Sequence, residues 1–174
     1  MKSRGSLSEE CHREWSRRVC ARVSSLPLFR RAESIALYFP LRGEVRPWSV
    51  FLEAVRRGKR VLFPRISGEQ LQFIPWSQKT SFDLHPWGLF QPEEGPPVSP
   101  RKIDCVFLPG IVFDPNGTRV GFGKGYYDRA LRKYSCPKIG LAYECQIVPY
   151  LKPGRHDVPC DFVVSERQMT GRFL

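Results

Sequence analysis

No apolar run in the 174-residue sequence is long enough to span a membrane, and the basic start meets Glu9, Glu10 and Arg13 before any stretch that a secretory signal would need. A cytoplasmic protein without a membrane partner is expected. Six cysteines occur, yet no Cys-x-x-Cys and no Cys/His pair at zinc spacing, and a chain of this size has a core of its own without disulfides. They read as reduced, mostly buried thiols. A reactive role for Cys105 or Cys145 stays open, although no neighbouring residue argues for a lowered pKa. Internal repeats, low-complexity tracts, long basic blocks and RNA-module signatures are all missing. The formal net charge of +11 still favours anions: nucleic acid, acidic lipid or small polyanions. Arginines scattered as Arg17, Arg18, Arg30, Arg31, Arg56 and Arg57 read as solvated helix faces, which disfavours nucleic acid.

What is present suits one domain over residues 1–174, since 41% apolar and 13% aromatic content fills a core. Ser6-Leu7-Ser8-Glu9 has the order of a capping box, and Cys11, Trp15, Val19 and Val23 then form one helical stripe. Strands are expected at Ser34–Phe39, at Arg60–Phe63 closed by Pro64, at an edge over Leu71–Ile74, and at Ile103–Leu108, Lys138–Ala142 and Phe162–Ser165. Helices are expected over Trp48–Arg57 and Tyr126–Tyr134. This alternation implies an α/β fold with a largely parallel sheet covered by helices on both faces. Residues 75–102 carry six prolines, too many for regular structure, and form either a functional lid or a poorly ordered excursion. Trp76, Phe82, Trp87 and Phe90 argue that the segment is packed.

The densest chemistry lies in Arg119-Val120-Gly121-Phe122-Gly123-Lys124-Gly125-Tyr126-Tyr127-Asp128. Alternating glycines let a backbone approach a ligand, adopt positive φ and offer its amides, while the start of the following helix adds the positive end of its dipole. Arg119 and Lys124 bring mobile positive charge, so phosphate is the expected ligand. Counting excludes a dinucleotide fingerprint, because Tyr126 occupies the sixth position from Gly121. A P-loop is excluded as well, because Thr118 stands where its first glycine belongs and Gly125 follows Lys124. The plainer alternative is a surface turn with Tyr126 and Tyr127 as core packing.

Together with Pro109-Gly110-Ile111-Val112-Phe113-Asp114 and Gly117, this stretch closely resembles the 5-formyltetrahydrofolate cyclo-ligase family. Further matches are Tyr38-Phe39-Pro40, Glu44-Val45, Gly58-Lys59, Trp87-Gly88, Gln91-Pro92, Gln146 and His156-Asp157-Val158-Pro159 with Asp161. The resemblance implies a three-layer α/β domain that converts 5-formyltetrahydrofolate and ATP into 5,10-methenyltetrahydrofolate, ADP and phosphate with magnesium. It implies an ATP-contacting loop of Arg119, Val120, Gly121, Phe122, Gly123, Lys124, Gly125, Tyr126 and Tyr127, with Lys124, Arg119 and Tyr127 in catalytic roles. Folate contacts are implied at Phe39, Glu44, Trp87 and Gln146 and along Phe122–Tyr126, and magnesium ligands at Asp128 and Asp157. Partners are then small molecules alone, and a monomer is expected. The family usually opens with a helix bearing Lys-x-x-x-Arg that contacts the ATP phosphates, whereas Met1-Lys2-Ser3-Arg4 leads straight into the capping box. That departure implies either a truncated or mis-started chain or substitution by other cations, with weakened ATP binding. It also gives a second reading: a weakly active or non-catalytic folate- or nucleotide-binding relative.

Overall fold

The computed structural model describes residues 5, 7–41, 43–86 and 88–171. Helix α1 (Glu9–Ser25) starts at Ser8, whose side chain accepts from Cys11 N at 3.2 Å. Ser6, the expected first member of the capping box, lies outside the described residues, as do Met1–Arg4. The buried stripe of α1 is His12, Ser16, Val19, Cys20 and Val23, rotated from the expected one, so that Cys11 and Trp15 are only half-buried. A short α2 (Pro27–Arg31) leads into β1 (Ser34–Ala36), then α3 (Trp48–Arg56), β2 (Arg60–Ser67) and β3 (Gln70–Pro75). After these come a small hairpin of β4 (Phe82–Leu84) and β5 (Phe90–Pro92), then β6 (Cys105–Leu108). The chain ends through a hairpin of β7 (Val112–Phe113) and β8 (Arg119–Val120), α4 (Tyr126–Leu131), β9 (Lys138–Leu141), β10 (Phe162–Val164) and β11 (Met169–Gly171).

Seven strands form the central sheet in the order β11-β10-β9-β6-β1-β2-β3, parallel throughout except for the antiparallel edges β11 and β3. Alternation along the strands divides the apolar residues between two cores. Ile35, Val61, Phe63, Cys105, Phe107 and Ile139 pack with α1, α2 and α3 through Val19, Val23, Phe29 and Val50. Ala36, Leu62, Val106, Leu108 and Val163 pack on the other face with Ala130, Leu131 and Tyr134. This is the expected three-layer arrangement.

Three expectations are corrected. Pro64 does not close β2, which continues to Ser67. Trp76 N donates to Val61 O, and in that register Pro64 opposes Phe73 at a position whose nitrogen faces away from β3, so the missing N–H removes no bond of that ladder. The proline-rich segment holds regular structure, the β4–β5 hairpin, and is packed: Phe82 lies edge-on to Phe39 at 4.9 Å, and Gln91 Oε1 accepts from Ile66 N at 3.0 Å. Helix α4 stops at Leu131 rather than Tyr134 and is six residues long. Strand β11 was not expected.

Candidate active site

Connections from the two central strands leave in opposite directions: β1 crosses by α3 to β2 on one side, and β6 crosses by α4 to β9 on the other. Open α/β sheets bind ligands outside the carboxyl ends of strands at such a switch point. Here Tyr38 and Phe39 follow β1, Pro109 and Gly110 follow β6, and all four line a cavity of about 620 Å³. The volume lies within the range of small-molecule sites.

The wall of greatest interest is the chain from Arg119 to Asp128, every residue of which lines this cavity. Its approach is fixed by Asp114, fully buried, whose Oδ1 accepts from Asn116 N at 3.0 Å and Thr118 N at 2.8 Å while Oδ2 accepts from Leu151 N at 3.1 Å. This carboxylate sets the turn that delivers β8 to the cavity. Gly123 and Gly125 take φ of 79° and 66°, and Gly125 is the residue before α4; Gly121 has no positive φ, against expectation. Because α4 has only six residues, its dipole adds little, and the positive potential along the loop comes from its amides and from exposed Lys124. Arg129 braces the loop by donating to Lys124 O at 2.9 Å and lying 4.9 Å over the Tyr126 ring.

Arg119 is not the mobile cation that was expected. Its side chain is 6% exposed and ion-paired with Asp128 at 2.9 Å, and its Nη1 donates to Val158 O at 2.6 Å. Asp157 lines the same cavity from the loop just before Val158, with Oδ2 accepting from Gly154 N at 2.8 Å. Tyr127 also lines it; burial, with Glu44 nearby, pushes its pKa well above the ordinary phenol value, so it is a neutral donor at physiological pH.

Glu44, 4% exposed, contributes to the cavity with Oε2 accepting from Leu41 N at 2.8 Å. Its backbone carbonyl accepts from Tyr143 Oη, which also meets Ser16 Oγ at 2.8 Å and His12 Nδ1 at 3.1 Å. That buried group ties α1 to the site. Phe39 sits among Phe63, Phe82, Trp48 and Phe90, with ring centroids between 4.6 and 6.0 Å away. Gln146 is buried and is not among the cavity-lining residues: its amide donates to Gly110 O and Ile111 O and its oxygen accepts from Tyr143 N. Trp87 lies outside the described residues. None of the six cysteines is in a disulfide, and burial raises Cys105, which argues against a reactive thiol there.

The family pattern described as the 5-formyltetrahydrofolate cyclo-ligase family matches residues 1–166. The chain belongs to that family. Among cyclo-ligases, the Escherichia coli 5-formyltetrahydrofolate cyclo-ligase is 27% identical over 172 residues, 93% of each chain. The Haemophilus influenzae cyclo-ligase is 33% identical over 138 residues, 75% of this chain and 74% of that one. An Aquifex aeolicus 5,10-methenyltetrahydrofolate synthetase superposes with a TM-score of 0.86 at 35% identity, covering 98% of this chain and 90% of that one.

The cavity also takes in residues with no site role expected from sequence, chiefly Tyr38, Leu41, Ile66 and Phe90. Tyr38 and Leu41 flank residues already singled out and were visible in principle as a strand end. Ile66 was hidden by the assumption that β2 stops at Pro64, and Phe90 by the assumption that its segment is irregular.

Proposed function

We propose that this cavity binds 5-formyltetrahydrofolate beside magnesium-ATP and closes the folate ring to 5,10-methenyltetrahydrofolate, releasing ADP and phosphate. The observation that carries the reading is that one cavity is lined both by the glycine loop with Lys124 and by Phe39 and buried Glu44. A phosphate-gripping wall and a slot for a flat polar heterocycle meet there.

The chemistry needs that meeting. A formamide oxygen is a hopeless leaving group as hydroxide. In the proposed route it attacks the γ-phosphorus and ADP departs; N10 then adds to the formyl carbon, loses its proton, and phosphate leaves with the former formyl oxygen. Positioning and charge stabilisation do most of the work in phosphoryl transfer. Amides of Gly121–Gly125 and the Lys124 ammonium hold phosphate oxygens, and the Tyr127 phenol donates to one of them. Glu44 accepts from the N–H edge of the pterin, which packs by Phe39.

The donor set fits magnesium. Asp128 Oδ2 and Asp157 Oδ1 accept no hydrogen bond among the described residues, and both residues line the cavity. No cluster of three or more potential ligand residues occurs among the described residues, which suits an ion that takes one or two carboxylates and completes its shell with phosphate and water. When bound there it supplies neutralisation of the phosphoryl charge.

The test is to mix the protein with 5-formyltetrahydrofolate and magnesium-ATP and follow the near-ultraviolet band of the methenyl product against an ATP-free control. ATP-dependent growth is expected. Folate binding without growth returns the chain to the binding-only reading.

A further inference from the structure

We propose that Arg119 is a positioning residue that sets the Asp128 and Asp157 carboxylates at one working separation, and is not itself a phosphate ligand. The inference rests on the reading of those carboxylates as the metal-holding pair. Three bonds close a ring. Arg119 Nη2 donates to Asp128 Oδ1 at 2.9 Å, Arg119 Nη1 donates to Val158 O at 2.6 Å, and Val158 N donates to the same Asp128 Oδ1 at 3.1 Å.

Asp128 stands on α4, and Asp157 stands on the long connection between β9 and β10. The ring makes them one unit, because Val158 is the next residue after Asp157. It also occupies Asp128 Oδ1 and leaves Oδ2 without a hydrogen bond among the described residues. A second stitch, Arg132 Nη2 to His156 O at 3.0 Å, holds the other side of the loop. A planar guanidinium spans a carboxylate and a carbonyl at once from a fixed fork; an ammonium is a point donor with no such fork. With only 6% of its side chain exposed and two of its nitrogens engaged, Arg119 is poorly placed to follow a moving phosphate. Lys124 is the exposed cation on the same wall.

Two variants decide the matter, Arg119→Gln and Arg119→Lys; the second keeps the charge and serves if the first does not fold. Manganese is the probe, titrated by the paramagnetic resonance of the free ion in the presence of a non-hydrolysable ATP analogue. Wild type is expected to bind it, and each variant to bind it roughly 10- to 100-fold more weakly, as is usual when a group supporting metal ligands is removed. Amide hydrogen exchange over 154–158 in the ligand-free protein should accelerate at least about tenfold while the central strands stay protected. Binding of 5-formyltetrahydrofolate should be unchanged. Variants with wild-type manganese affinity and wild-type exchange, but with weakened binding of the analogue in metal-free buffer, would make Arg119 a direct phosphate contact and overturn the proposal. Failure of wild type itself to bind manganese with the analogue would remove the carboxylate reading and the proposal with it.

Discussion

A Cβ on Gly117 would stand 1.9 Å from the carbonyl oxygen of Cys160. The contact is reinforced by a hydrogen bond from Cys160 N to Gly117 O at 2.8 Å, and it presses the β7–β8 turn against the segment entering β10. Gly117 also has φ of 85°, so two independent constraints demand glycine there. Gly121, four residues later, has nothing within 4 Å of the same hypothetical atom.

Alanine at these two positions should therefore separate folding from binding. Gly117→Ala is expected to cost at least about 3 kcal/mol or to abolish folding, through strain and backbone overlap. Gly121→Ala should melt within a few degrees of wild type and yet lose most of its affinity for ATP, because the added methyl enters the cavity. Thermal melts beside nucleotide titrations check both.

The two acidic residues should respond unequally. Asp157 is exposed and accepts a single amide from its own loop, so Asp157→Asn is expected to lower magnesium-dependent turnover about 10-fold or more with under about 1 kcal/mol of stability lost. Asp128→Asn should lower turnover at least as far and also destabilise, since it leaves the nearly buried Arg119 without its counter-charge. Equal stability losses in the two variants would contradict this.

For Glu44→Gln the side-chain oxygen that accepts from Leu41 N is retained while the charge is lost. The expected result is a KM for 5-formyltetrahydrofolate raised about tenfold, the scale of one charged hydrogen bond, with the KM for ATP little changed. Steady-state kinetics with each substrate varied in turn gives the answer.

Alkaline pH should unfold the protein through its buried thiols. Burial pushes Cys20 and Cys160 up to about 11 from an ordinary value of 9.0. Below pH 9 both states keep the proton and the stability is intact; as pH rises through about 11 the unfolded thiols ionise first and the folded state loses its advantage. The loss approaches about 3 kcal/mol per thiol above that window. Melting temperatures from pH 8 upward should fall with this profile, and Cys20→Ala, although it leaves a small cavity, should flatten it.

The parallel strands were legible because buried strands read as plain apolar runs, as at Cys105–Leu108, and the glycine loop was legible because nothing else in the chain packs so many ligand-ready groups together. Strand β11 was not, because Met169-Thr170-Gly171 is short, half-buried and carries no alternation. Pro64 misled because its effect depends on which side of the strand its nitrogen faces, a property of register. Arg119 lines the cavity, but its confinement was invisible in the sequence: the partner carbonyl lies 39 residues away in the chain. Gln146 likewise gave no sign that its amide is engaged by Gly110 and Ile111.

One phenol, Tyr143, gathers His12, Ser16 and the carbonyl of Glu44, so the wall that holds Glu44 is complete only when the start of the chain has met its last third. Such long loops close late in folding, after helices and local hairpins have formed. A refolding experiment should therefore recover its helical signal well before its first turnover.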